Sequence, residues 1–274
     1  MPEGPEIRRA ADAVESILKG RIASEVWFSL PRLQPFAATL TGQRVLRIDT
    51  HGKAMLTRFD NGLTLYSHNQ LYGRWHCVRR GERPETRRQL RLRISTESHD
   101  ALLYSASEID VLNDQELLSH PFLSRLGPDL LDPTLDVKTV LARLESRQFR
   151  NRRLGSILTD QGFLAGIGNY LRCEILFHAA LHPTSKPSQC RPEQLARLAA
   201  AIIHLPRQSY ETGGITNDLE RAEQLMAAGS NFESARFQLF RREGLACYRC
   251  SSRIIKINQG GQPCYLCPNC QTAV

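Results

Sequence analysis

Two short stretches of this chain carry residue types whose placement implies chemistry. The N-terminus reads Met1-Pro2-Glu3-Gly4-Pro5-Glu6. A start methionine is commonly removed when a small residue such as proline follows it, and removal leaves Pro2 with a free secondary amine. With a pKa near about 8, an appreciable share of such an amine is unprotonated at neutral pH. It can attack an electrophilic carbon and form an iminium, as lysine does in Schiff-base enzymes. Glu3 beside it supplies a carboxyl group for proton transfer. The hexapeptide also reads as a helix entry, with Pro5 at the first helical position and Glu6 facing the positive end of the helix dipole. The readings are compatible, since a helix starting there holds the amine in place.

The second stretch is Cys247-x2-Cys250-x16-Cys267-x2-Cys270. Two CxxC knuckles at this separation bring four thiolates around one structural zinc ion, with a β-hairpin between them. Turn-forming neighbours accompany each knuckle: Ser251-Ser252 after the first and Pro268-Asn269 inside the second. Of the other cysteines, Cys77, Cys173 and Cys190 read as small apolar fillers. Cys264 is a fifth sulfur where four suffice. With no secretory signal, eight cysteines argue against a disulfide framework.

Charge narrows the class. The formal charge is +8, and the 36 basic residues comprise 31 Arg and 5 Lys. Guanidinium forks match phosphates and stack on bases, so this bias favours a nucleic-acid partner. Lys53 is the only lysine between Lys19 and Lys138, which singles it out as a point charge. No apolar run approaches 18 residues and no signal peptide opens the chain, so the expectation is a soluble, cytoplasmic protein without a membrane partner. A monomer is expected.

The elements that must position these groups follow from periodicity. A first helix presents Ile7, Ala10, Ala11, Val14, Ile17 and Leu18 on one face. Leu90, Leu92 and Ile94 alternate with Arg91, Arg93 and Ser95 as a half-buried strand, and Asp60-Asn61-Gly62 predicts a hairpin turn. Residues 22–107 therefore read as an antiparallel sandwich or barrel. Beyond residue 115 the period is helical: Asp136 caps one predicted helix and Pro192 opens another. Between them, Gly166-Ile167-Gly168-Asn169 interrupts two helical stretches, a turn whose amides and Asn169 side chain suit a phosphate. Arg147, Arg150, Arg152 and Arg153 form a basic cluster upstream. Residues 212–234, with Gly213-Gly214 and few large apolar side chains, read as a mobile linker.

Taken in order, the Pro-Glu-Gly-Pro-Glu start, His51-Gly52-Lys53, Tyr66–Tyr72, Gly166–Tyr170 and the cysteine knuckles resemble the formamidopyrimidine-DNA glycosylase and endonuclease VIII family. PEGPEIRRAAD at Pro2–Asp12 and YSHNQLYG at Tyr66–Gly73 are similar to its endonuclease VIII branch. The resemblance implies an α+β fold: an N-terminal β-sandwich over residues 1–124, a helix–two-turns–helix domain over 125–235, and a zinc hairpin over 236–274. It implies one zinc ion, no organic cofactor, and double-stranded DNA with oxidised bases or abasic sites as partner. By that likeness Pro2 attacks C1′ of an oxidised pyrimidine nucleoside, Glu3 moves protons, and β,δ-elimination then cuts the strand. Lys53 matches a lysine beside the scissile phosphate, and Glu6 a sugar contact or helix cap. Gln70, Leu71 and Tyr72 match side chains that fill the gap left by a flipped nucleotide, although pattern alone makes Leu71 and Tyr72 strand core. Arg125 and Asn169 match backbone-phosphate contacts. One departure stands out: Gln262 occupies the place of the family's hairpin arginine, with Arg253 and Lys256 the nearest substitutes in sequence. The alternatives are an oxidised-purine enzyme, or a damage-binding or lyase-only relative weakened at Gln262. Intact Pro2, Glu3 and Lys53 argue against a mere binder.

Overall fold

The computed structural model describes residues 2–273. They form two compact units: Pro2 with Glu6–Arg125, and Glu3–Pro5 with the chain from Leu126 onward.

In the first unit, which holds α1 (Gly4–Leu18) from Glu6 onward, that helix is followed by β1 (Glu25–Phe28) and α2 (Gln34–Leu40). Seven strands succeed them: β2 (Val45–His51), β3 (Ala54–Phe59), β4 (Thr64–His68), β5 (Arg74–Arg79), β6 (Leu90–Ser95), β7 (His99–Tyr104) and β8 (Glu108–Leu112). They make two four-stranded antiparallel sheets, ordered β1-β6-β7-β5 and β2-β3-β4-β8. Alternation turns one row of each sheet inward. Val26, Leu92, Ile94 and Leu103 from one meet Ile48, Met55, Leu65 and Ile109 from the other, with Ala11, Val14 and Leu18 of α1 closing the same core. The alternating strand and the Asp60-Asn61-Gly62 turn lie where the sequence places them. The unit ends with α3 (Asp114–Ser119), opened by a reciprocal cap between Asn113 and Glu116.

The second unit is helical: α4 (Val137–Glu145), α5 (Leu154–Ile157), α6 (Asn169–His178), α7 (Pro192–Glu211), α8 (Leu219–Ala227) and α9 (Phe232–Ala235). Asp136 caps α4 by accepting from the Thr139 amide at 2.7 Å. Buried Val140, Leu144, Leu198, Ile202 and Leu171 share one core. Residues 212–234, read from composition as a linker, contain α8 and α9. Asp218 and Asn231 cap them through the Arg221 and Ser234 amides at 2.9 Å each. Their sparse apolar residues reflect mostly solvated helix faces rather than absent structure. The chain closes with the hairpin β9 (Ile255–Gln259) and β10 (Gln262–Leu266), turned at Gly260-Gly261. Both glycines have positive φ, as a two-residue turn of this hand demands.

Candidate active site and metal centre

Glu3 is 2% exposed, and its carboxylate sits on the start of α6. Oε2 accepts from the Gly168 amide at 2.7 Å and from Leu171 at 3.3 Å, while Oε1 accepts from Tyr170 at 2.8 Å. The first amides of a helix lack intrahelical partners and carry partial positive charge, so they suit a buried anion. The turn is shaped for this contact. A Cβ on Gly168 would collide with the Glu3 carboxylate, and one on Gly166 (φ 107°) with the Leu130 side chain. The Gly4 amide donates to the Gly166 carbonyl at 2.9 Å, fixing the segment that carries Glu3. The glycine turn thus receives a carboxylate of this chain itself, whereas its sequence suggests an external phosphate. Pro2 immediately precedes this anchored residue. Glu6 lies in the first turn of α1, 3.6 Å from Arg9 Nη2.

Lys53 occupies the second position of the tight β2–β3 turn, after Gly52 in the left-handed region at φ 61°. It is only 9% exposed, although a lysine after a glycine turn is usually solvated. Its charge is felt by His68 at the end of β4. Burial lowers the His68 pKa, Lys53 lowers it further, and Glu108 opposes both from 3.1 Å.

The β4–β5 loop carries Gln70, Leu71 and Tyr72. Leu71 is 59% exposed and Tyr72 67%. Neither belongs to the core that alternation alone assigns them, because the strand ends at His68 and the chain reverses. The Gly73 amide closes the reversal on the Asn69 carbonyl at 2.7 Å, and a Cβ at Gly73 would strike the Asn69 backbone. Gln70 takes φ 51° and donates to Glu108 Oε1 at 2.6 Å.

Asn169, the first residue of α6, donates from Nδ2 to the Pro263 carbonyl on the hairpin at 2.9 Å. Arg172, one turn on and 1% exposed, donates to Asn169 Oδ1 and reaches the Pro263 and Gln259 carbonyls at 3.3 Å each. The tip of the hairpin is thus tied to the helix that receives Glu3. Gln262 pairs with Gln259 across the turn and is half-buried. Of the nearby cations, Lys256 pairs with Glu243 at 2.6 Å, and the Arg253 backbone is bridged to Ala246 at the base of the hairpin. Arg125 is exposed and donates from Nε to the Pro121 carbonyl at 2.7 Å.

The sulfurs of Cys247, Cys250, Cys267 and Cys270 all lie within 4.8 Å of one another. Cys250 approaches Cys267 at 3.4 Å and Cys247 approaches Cys270 at 3.9 Å. A tetrahedral zinc with sulfur ligands at roughly 2.3 Å sets sulfurs about 3.8 Å apart, so the donor set fits one such ion. Hydrogen bonds from Ser252 and Asn269 bring the Cys250 thiol down to about 5. Cys173 and Cys264 form a separate buried pair 3.9 Å apart, between α6 and β10.

Arg172 and Glu174 escaped the sequence reading. Glu174 is fully buried and accepts from the Leu239, Phe240 and Gln238 amides and the Thr216 hydroxyl, at 2.8–2.9 Å. Burial still pushes its carboxyl above the usual range. The available signal was two opposite charges inside a helix, Asn169–His178, with almost no polar face.

A two-sheet sandwich, a helical unit with a glycine turn and a four-cysteine hairpin together define a fold already seen on damaged DNA. Lactococcus lactis formamidopyrimidine-DNA glycosylase bound to abasic-site DNA matches with a TM-score of 0.81 at 20% identity, covering 98% of this chain and 99% of that one. The same enzyme with DNA containing an oxidised pyrimidine gives 0.81 at 20%, over 99% and 100%. The profile of the formamidopyrimidine-DNA glycosylase N-terminal domain matches residues 1–107, and that of its H2TH domain residues 126–220. Endonuclease 8 of Klebsiella pneumoniae is 49% identical over 271 residues, which cover 99% of this chain and all of that protein. Endonuclease 8 of Escherichia coli is 48% identical over the same span. The chain belongs to the formamidopyrimidine-DNA glycosylase and endonuclease VIII family, in its endonuclease VIII branch. It is a bifunctional DNA glycosylase and AP lyase of base excision repair.

Proposed function

We propose that this enzyme excises oxidised pyrimidines from double-stranded DNA through the amine of Pro2, exposed by removal of Met1. The observation that carries the reading is the capture of Glu3 by the Gly168, Tyr170 and Leu171 amides at the start of α6, which fixes the residue next to that amine. A carboxylate so held first accepts a proton, taking it from the Pro2 ammonium to free the nucleophile. The amine attacks C1′ as the glycosidic bond breaks, its remaining N–H proton passes to the departing base, and Glu3 returns its proton to the sugar ring oxygen as the ring opens to an iminium. The iminium acidifies the C2′ proton. Its loss expels the 3′ phosphate, and a second elimination releases the sugar remnant. Lys53 suits the charge of the departing phosphate, since the residue is set by a tight turn and largely buried.

Gln70, Leu71 and Tyr72 are assigned to the gap left by the extruded nucleotide, and the exposure of Leu71 and Tyr72 supports this. Their contiguity favours oxidised pyrimidines over purines. Arg125 and Asn169 are assigned to backbone phosphates. Asn169 and Arg172 place the hairpin beside α6, so a zinc ion held by Cys247, Cys250, Cys267 and Cys270 would serve by keeping that hairpin folded. In functional terms the chain reads as a sandwich over 1–124, a DNA-gripping helical part over 125–235 and a zinc hairpin over 236–274, acting as a monomer.

Borohydride reduces an iminium to a permanent crosslink and so tests the assignment. Crosslinking to a dihydrouracil duplex is expected, with Pro2 as the modified residue. A crosslink confined to the abasic duplex would leave a lyase without excision. None on either, with Met1 shown to be removed and DNA bound, would refute the Pro2 mechanism.

A further inference from the structure

We propose that Glu108 and Ser107, at the head of β8, are positioning residues that hold the β4–β5 loop ready to enter a duplex. The proposal rests on the reading of Gln70, Leu71 and Tyr72 as the side chains that occupy the vacated place. Gln70 adopts the left-handed backbone region at φ 51°, which costs any residue with a Cβ. Its side chain is held at both ends: Nε2 donates to Glu108 Oε1 at 2.6 Å, and Oε1 accepts from the Ser107 hydroxyl at 2.9 Å. The other Glu108 oxygen lies 3.1 Å from His68 Nδ1 on the neighbouring strand, where His68 and Glu108 are register partners. Arg88 donates to the Tyr72 carbonyl, and the Gly73 amide closes the loop on Asn69. The backbone is therefore tied down on several sides while the Leu71 and Tyr72 side chains stand bare in solvent.

That combination is pre-organisation. Two large apolar side chains left on a slack loop would fold back onto the nearby apolar cluster of Leu56, Tyr66, Leu112 and Phe122. A loop held in its inserting shape gives up less conformational freedom when it meets DNA. Glu108 does not need to touch the duplex for this; it acts through Gln70.

The test compares single-turnover excision of dihydrouracil from a duplex with cleavage of an abasic site in a single strand, where no partner base leaves a gap. A 2-aminopurine beside the lesion reports extrusion by its brightening. Glu108→Ala should slow duplex excision about tenfold, as loss of a charge-assisted hydrogen bond gives, slow the brightening equally, and affect the single strand much less. Ser107→Ala should act in the same direction. Glu108→Gln, which keeps an acceptor for Gln70, should recover most of the rate. If Gln70→Ala changes the duplex-to-single-strand ratio while Glu108→Ala and Ser107→Ala do not, the clamp is wrong and the loop reading stands. If Gln70→Ala leaves the ratio unmoved, the loop reading fails and the clamp with it.

Discussion

At the scale of single residues, the proposed mechanism depends on a glycine as much as on a carboxylate. Gly168 presents its amide to Glu3 because no side chain separates them. Gly168→Ala should displace the carboxylate and lower base excision by about 10²-fold or more, the usual size of a general acid–base contribution. The check is a single-turnover excision rate against circular dichroism, because a folded but slow protein is expected. Gln262 offers a change in the other direction. On the family resemblance a neutral amide stands at the hairpin tip in place of a cation, and Lys256 is engaged with Glu243 at 2.6 Å. Gln262→Arg should raise base excision or the second elimination several-fold, about what converting a neutral hydrogen bond to a charge-assisted one yields. Resolving the 3′-phosphate and unsaturated-aldehyde products on a gel separates the two steps, and no gain in either would reject the role.

At the scale of elements, α6 is the organising piece. Its first amides hold Glu3, Asn169 and Arg172 hold the hairpin tip, and Glu174 holds residues 238–240. Stripping the metal, or replacing Cys267 by Ser, should therefore unfold the hairpin and release the Pro263 carbonyl from Asn169. Protein without metal should lose most excision activity and regain it with added zinc; metal analysis alongside the assay checks this. The sequence disclosed the parts of this arrangement unevenly. The cysteine spacing, the alternating strands and the Asp136 cap are local signals, because the interactions behind them span few residues. Residues 212–234 misled because helices with few apolar contacts resemble linkers in composition. By pattern alone Leu71 and Tyr72 read as core, because alternation does not reveal the five-residue turn that puts them outside it. Glu174 and Arg172 were missed because their partners lie tens of residues away, and only the folded chain shows why a buried helix tolerates both charges.

At the scale of the whole molecule, burial sets how the protein responds to acid. His68 and His76 in the first unit, and His178 and His182 in the second, all have pKa values lowered first by burial. An unfolded chain takes up a proton at each as pH falls through about 6.5, whereas the folded units resist it. More protons bound to the unfolded state means that stability rises with pH across this range. The contribution is present near neutrality and is lost on acidification, the same direction as for Asp100, whose carboxyl is lowered by Ser95, Gly81 and Arg83 despite its burial. Because both units carry such histidines, both should weaken together. Melting temperature is expected to fall by several degrees between about pH 7 and about pH 5, at fixed salt and zinc. Replacing His178 by Gln, a polar side chain without a titrating charge, should flatten part of that slope. A melting temperature constant across this interval would mean that the histidines take up protons in the folded protein as readily as in the unfolded chain, contrary to their burial.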